Sequence, residues 1–373
     1  MEADCLAAGW TRTESHDDAD LIVVRGCSVT ARAQRECERF IERMKQRHPF
    51  AKIHVCGCMK DASRTSSAAI PTPARSAGVT PTRTARAYLK VQDGCSGKCT
   101  FCIVPQFRGK PSSVPFETAL DKAKRFIESG YHEIVVTGCN LALYANRGRG
   151  LPDLLDALSG LTDPEESQHC RIRIGSLPPG RCAEETVALM AERKNICKFL
   201  HMTVQSGSST ILSAMRRGYK ATDVDELVSK TLKLMPDIGL GCDLITGFPG
   251  ELETDFLATK GLLKRFPFSN VHIFPFSERH GTIAAGFPYA IPTETRRERA
   301  HALSNLAAAK RLTFARKFVG KTVEMVVENE EKKSGWTSEY LMCHTDAQVT
   351  RKSAVKVVVT RVHRNATLEG RLA

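Results

Sequence analysis

Nowhere in its 373 residues does the chain hold a continuous apolar run of about 20 residues, the length that a membrane-spanning helix needs. The opening MEADCLAAGW also lacks a basic stretch followed by an apolar one, the pattern of an export leader. Both absences predict a soluble, cytoplasmic chain with no membrane partner. Acid is in deficit as well: 54 Lys and Arg stand against 41 Asp and Glu, a formal charge of +13. That balance favours a polyanionic partner, because phosphate neutralisation by Lys and Arg is the general source of nucleic-acid affinity, although plain solubility charge would produce it too. Hydrophobic residues at 42% and charged residues at 25% are ordinary for a globular chain, long enough for two or three domains. Cysteine is plentiful, with 14 residues. A chain this large needs no disulfide staples and shows no secretory signal, so reduced thiols, some of them metal ligands, are expected.

Strand and helix signals set the organisation. ADLIVVRGCSVT reads as a buried strand entering a loop at Cys27, and TARAQRECERFIERMKQRHP as a helix with Ala33, Cys37, Phe40, Ile41 and Met44 near one face. AKIHVCGC reads as a second strand reaching Cys58, which predicts a small open α/β domain over residues 1–60. Residues 61–87, rich in Ser, Thr, Pro, Ala and Arg and nearly without large apolar side chains, read as a linker. From residue 88 to 320, six strand signals (YLKV, HEIVVTG, RIRIGSL, KFLHMTVQ, GCDLITGF, NVHIFPFS) alternate with helical runs. An α/β fold with a full or partial β/α barrel follows, its chemistry at the carboxyl ends of the strands. The helical run from Glu294 to Lys321 carries eight Lys or Arg against two Glu. Residues 321–373 are β-rich, with Gly335 and Gly370 as turn signals, and predict a small closed β-barrel of a kind that often binds RNA.

Chemistry concentrates in DGCSGKCTFC, where Cys95, Cys99 and Cys102 follow C-x3-C-x2-C spacing. A structural zinc site wants four protein ligands, and His54 and His132 are the nearest histidines in sequence. Unliganded core cysteines fit poorly in a glycine-bearing loop. A 4Fe–4S cluster on three thiolates, with one iron open to a substrate or cofactor, accounts for both the ligand type and the missing fourth ligand.

This loop, with Phe101 just before its last cysteine, resembles that of radical S-adenosylmethionine (SAM) enzymes. The resemblance implies that the open iron is chelated by the methionine end of SAM, that one-electron transfer yields a 5′-deoxyadenosyl radical, and that Phe101 packs near the adenine. VTGCNL, with Gly138, is similar to the family's glycine-bearing edge beside that methionine. VQSGSSTILSAMRRGY and CDLITGFPGE resemble further family segments, which makes Gln205, Ser206, Asp243 and Glu251 candidates for the cofactor pocket or substrate contacts, beside their plainer reading as strand-end polar residues.

The order of segments resembles the methylthiotransferases of this superfamily, which have a second 4Fe–4S cluster in an N-terminal domain and a C-terminal TRAM domain that binds RNA. VVRGCSVT and CGCMKD are similar to segments carrying that cluster's ligands, which implies roles for Cys27 and Cys58. The family's remaining cysteine would precede Met1, and Cys5 and Cys56 are weak substitutes. QSGSSTILSAMRRGY, PDIGLGCDLITGFPGE and FPFSNVHIFPFSERHGTIAA most resemble the branch acting on threonylcarbamoyladenosine beside the tRNA anticodon. Relatives acting on isopentenyladenosine in tRNA or on a ribosomal-protein aspartate, and a tRNA-binding protein without turnover, are the alternatives. Implied partners are the anticodon stem-loop and an electron donor such as flavodoxin or ferredoxin.

Overall fold

The computed structural model describes residues 5, 9–13, 15, 17–27, 30–57, 84–163 and 169–373. They belong to two compact units: Met1–Thr82 with Gly94–Lys110 and Ser277–Gly286, and Arg83–Asp93 with Pro111–Phe276 and Phe287–Ala373.

In the first unit, β1 (Leu21–Gly26) and β2 (Lys52–Gly57) pair in parallel through the helix Ala31–Arg47. Thr30 starts that helix, its hydroxyl accepting from Ala33 N at 3.1 Å, and Pro49 follows its end. Ile41 and Met44 pack on Ile22 and Val24, with Cys37 at the margin. Phe40, expected on the same face, is instead 37% exposed, because a two-stranded sheet covers only a narrow stripe of the helix.

The second unit holds the six expected strands. β3 (Ala87–Lys90) is followed by β4 (Gln92–Asp93), which pairs with β5 (Ser112–Ser113). Next come β6 (Glu133–Thr137), the small ribbon of β7 (Ala145–Asn146) and β8 (Arg149–Gly150), and β9 (Arg171–Ile174). β10 (Phe199–Gln205), β11 (Gly239–Thr246) and β12 (Phe268–Pro275) complete the set. They form two parallel sheets, β3-β6-β9 and β10-β11-β12, linked by the bridges Ile172 to Ile196 and Leu177 to Met202. This is a partial β/α barrel, as expected. Alternation along each strand sorts its side chains. Leu89, Ile134, Ile172, Leu200, Met202, Leu240 and Leu244 join the apolar core that the helices share. The opposite face carries Glu133, Arg171, Arg173, His201 and Asp243, so the inner wall is polar rather than filled with branched aliphatics.

Two expectations change. Arg86 and Ala87, read as linker, are buried, and Ala87 opens β3: small residues and an ion-paired arginine hide a strand start from a composition argument. The remainder of that stretch up to residue 83 lies outside the described residues. Gly335 and Gly370 are not turns but sit inside β14 (Ser334–Thr337) and β17 (Leu368–Leu372). A Cβ on either would come within 2.0 Å of Val326 O or 2.2 Å of Val358 O, so both glycines permit close strand approach. With β13 (Thr322–Asn329), β15 (Met342–Thr345) and β16 (Ala354–Val362), these strands close a barrel in the order β13-β14-β15-β17-β16. Phe314 and Phe318, at the end of and just beyond the long helix Thr293–Arg316, pack into its core.

That small barrel seats on the amino-terminal ends of the parallel strands. Glu133, fully buried, receives Arg171 Nε at 2.8 Å and Arg173 Nε at 2.6 Å. The same guanidinium groups donate to the carbonyls of Glu324, Trp336, Thr337 and Ser338. Tyr340 stacks on Phe199 with ring centroids 4.8 Å apart. The carboxyl ends of the strands are therefore on the side away from this weld.

Candidate active site

The loop Gly94–Lys110 brings its three cysteines into a short fold of its own. Cys95 N donates to Gly109 O at 3.1 Å and Cys102 N to Cys99 O at 3.2 Å, before the helix Val104–Arg108. All three cysteines are half-buried, as is Phe101. Gly97 N lies 3.3 Å from Cys95 Sγ, and a Cβ on Gly97 would sit 3.2 Å from that sulfur and 3.8 Å from Cys99 Sγ. A cradle of soft donors with a bare backbone beneath them fits an iron–sulfur cluster. A single ion fits less well: among the described residues, the trio whose donor atoms lie within 4.8 Å of one another is His201, Asp243 and His272, not this loop. Gly97→Ala is expected to overpack the cradle at a cost of about 1–3 kcal/mol, and so to speed iron loss to a chelator. An unchanged rate of loss would show that the bare backbone is unimportant.

The loop shares its unit with the helix that follows Cys27. Ala31 N donates to Ser277 Oγ at 3.1 Å, Arg279 bonds Gln34, Gln106 Nε2 donates to Gly281 O at 2.7 Å, and Ala284 N to Thr100 O at 2.8 Å. Between these segments is a cleft of about 500 Å³ lined by Gln34, Arg35, Glu38, Gln106, Arg279 and His280 among others. Cys27 is exposed just past the end of β1. Cys56 is buried within β2 opposite Arg25, and Cys37 lies on the intervening helix. Burial raises the Cys37 thiol above its ordinary range, and Glu38, Cys27 and Cys56 add to the effect. Cys58 lies outside the described residues.

The strand-end candidates separate into distinct groups. Gly138 follows β6, and a Cβ there would meet Gln92 Cβ at 2.9 Å, while Gln92 Oε1 accepts from Asn140 N at 2.8 Å. Cys139 donates to Asp93 Oδ1 at 3.0 Å. Gln205 ends β10 with φ at +73°, a strained backbone for a residue with a side chain. Ser206 is fully buried, 3.2 Å from Thr259 Oγ1, and accepts from Ser208 N, so its hydroxyl ties the turn after β10 to the helix Glu253–Arg265. Glu251 is similarly engaged, accepting from Gly247 N at 2.7 Å and Arg299 Nη1 at 2.6 Å; burial pushes its carboxyl up against those two partners. Asp243 faces the inner wall, where His201 Nε2 donates to its Oδ1 at 2.9 Å and His272 Nδ1 at 3.0 Å. Burial alone would raise this carboxyl, but the two imidazoles hold it at about 2. His201 and His272 were not among the expected site residues. Alternation in FLHMTVQ puts His201 on the face of Gln205, the one sequence signal that could have found it.

Comparison with known proteins places the chain. Residues 89–263 match the radical SAM superfamily, and residues 1–74 match uncharacterized protein family UPF0004. The threonylcarbamoyladenosine tRNA methylthiotransferase MtaB of Bacillus subtilis is 30% identical over 381 residues, covering 90% of this chain and 84% of that one. The MtaB protein of Thermotoga maritima is 30% identical over 83% of this chain and 79% of its own. A tRNA-2-methylthio-N(6)-dimethylallyladenosine synthase of Methylacidiphilum infernorum is also 30% identical, over 89% and 81%. Together with the C-x3-C-x2-C loop, these matches establish that the chain belongs to the radical SAM methylthiotransferase family, transferases that carry a 4Fe–4S cluster and use S-adenosylmethionine.

Proposed function

We propose that the protein is a cytoplasmic tRNA methylthiotransferase that modifies C2 of N6-threonylcarbamoyladenosine beside the anticodon. The observation that carries this reading is the near full-length likeness to MtaB proteins from several organisms. Dimethylallyladenosine synthases of similar identity make the isopentenyl-type adenosine the second reading. When bound, the cofactor supplies a radical that removes hydrogen from carbon and, in a second molecule, the methyl group. Cys95, Cys99 and Cys102 hold the cluster, and Phe101, Gly138, Gln205 and Asp243 are the residues proposed to bind the cofactor. Ser206 and Glu251 keep the turns after β10 and β11 in shape. Cys27 and Cys58 contribute to the auxiliary cluster, and a flavodoxin or ferredoxin supplies electrons.

RNA needs a basic surface around an accessible loop base. The long helix offers less of this than its composition promised. Arg299 pairs with Glu251, Arg311 bonds Asn270, and Arg296 donates to Phe276 O, which leaves Arg297, Arg316 and Lys317 among its exposed cations. The small barrel adds exposed Arg351, Lys356, Arg361, Arg364 and Arg371. No helix among the described residues is long and apolar enough to cross a membrane. The test is nucleoside mass spectrometry of tRNA from a host lacking its own enzyme and expressing this chain. The expected product is 2-methylthio-threonylcarbamoyladenosine; 2-methylthio-isopentenyladenosine would favour the second reading, and neither product beside an active control would count against both.

A further inference from the structure

The trio on the inner wall is built from three neighbouring parallel strands, with Asp243 and His272 directly opposite in register. Both imidazoles donate to one oxygen, Asp243 Oδ1, and these bonds fix the tautomers: the proton is on Nε2 of His201 and on Nδ1 of His272. The backbone makes room for the clamp, since a Cβ on Gly241 would stand 2.4 Å from His201 Nδ1. The spacing would also accept a cation. Imidazoles that bind metal, however, almost always donate their second nitrogen to a carbonyl or carboxylate. Among the described residues, neither His201 Nδ1 nor His272 Nε2 makes such a bond.

Asp243 Oδ2 has no hydrogen-bond partner among the described residues. The Asp243 side chain is 20% exposed and that of His272 51%, so the open oxygen is reachable from the wet wall. An ionised carboxylate only accepts hydrogen bonds, and one with a pinned oxygen presents the other in a fixed direction. The molecules that a radical SAM methylthiotransferase of RNA must bring together share one unit with suitable donors: adenosine, with its ribose hydroxyls and exocyclic nitrogen. We propose that His201 and His272 are positioning residues that clamp Asp243 so that its Oδ2 receives a hydroxyl or amino donor of an adenosine. For the cofactor this rests on family membership alone; for the RNA it rests on the proposed substrate.

Binding, not turnover, tests it. Full-length protein with reconstituted clusters is compared for SAM affinity by equilibrium dialysis and for affinity to a threonylcarbamoyladenosine-bearing anticodon stem-loop by filter binding. Asp243→Asn, His201→Leu and His272→Leu are each expected to weaken one of these ligands about tenfold or more, the loss of a hydrogen bond to a charged group. The ligand affected names the source of the adenosine. His201→Gln keeps a donor where Nε2 was and His272→Asn one where Nδ1 was, so both are expected to bind within about threefold of wild type, a rescue based on the retained donor. Iron content and melting temperature report whether each variant folds. Unchanged affinity for both ligands in Asp243→Asn would overturn the site, and in both leucine variants it would overturn the clamp. One zinc per chain, lost in all three variants, would make the trio a cation site instead. Failure of tRNA modification in the host with SAM binding intact would strike the substrate reading and leave the cofactor arm standing.

Discussion

Cys99→Ala is expected to abolish reductive cleavage of S-adenosylmethionine, by about 100-fold or more, while the fold survives. Even the partners that merely orient metal ligands are worth about 10–100-fold, so removal of a ligand sets a higher floor. Cys99 is the middle of the three thiols, and its backbone carbonyl, which accepts from Cys102 N, remains in the variant. The loop can therefore keep its shape and lose its cluster. Chromatography of 5′-deoxyadenosine formed by anaerobically reconstituted protein gives the readout, with bound iron counted alongside. Cys182→Ala is the control: that thiol is on the helix Arg181–Glu192, where burial raises it above the ordinary range, and its loss is expected to leave cleavage intact. Cleavage retained in Cys99→Ala would refute the cluster assignment.

Legibility in the sequence followed the range of each interaction. The cluster loop was readable because its three donors lie within eight residues and their spacing carries the chemistry. The six parallel strands were readable because short β-branched and apolar runs alternate with helical runs, among them the helices Phe116–Glu128 and Ala221–Leu234. What escaped was assembled across strands. His201, Asp243 and His272 are far apart in sequence and meet only through the register of β10, β11 and β12. Arg86 was read as linker, and Glu133, Arg171 and Arg173 only as parts of the strand signals HEIVVTG and RIRIGSL, yet they form a buried network, because a charge of either sign is tolerated inside only when its partner is there too. Gly335 and Gly370 misled for a related reason: a glycine marks either a turn or a close approach, and pairing partners decide which.

Glu133→Gln tests that network. The carboxylate is fully buried between Arg171 and Arg173, with Arg86 Nη1 at 3.7 Å. Burial would raise this carboxyl, but the guanidinium groups of Arg173 and Arg171 outweigh it and hold the group at about 2. An unfolded glutamate titrates near 4.3. The folded value is the lower one, so the stabilisation is fully present above about pH 4.3 and is lost as pH falls towards 2. Glutamine preserves shape but leaves buried guanidinium groups with less counter-charge, an error that costs about 3–5 kcal/mol when one partner of a buried pair is removed. The lower end is expected, because Arg171 keeps Glu324 Oε1 at 3.2 Å and both arginines keep their carbonyl partners. Trp336 stacks on Tyr340 within the same weld, so its fluorescence in urea follows the event directly. The variant should unfold at lower urea and lack the fall in stability between about pH 4 and pH 2 that is expected of the wild type. A loss below about 1 kcal/mol would mean that the carbonyl contacts alone hold the small barrel to the strands, and that Glu133 serves only to make two buried arginines tolerable.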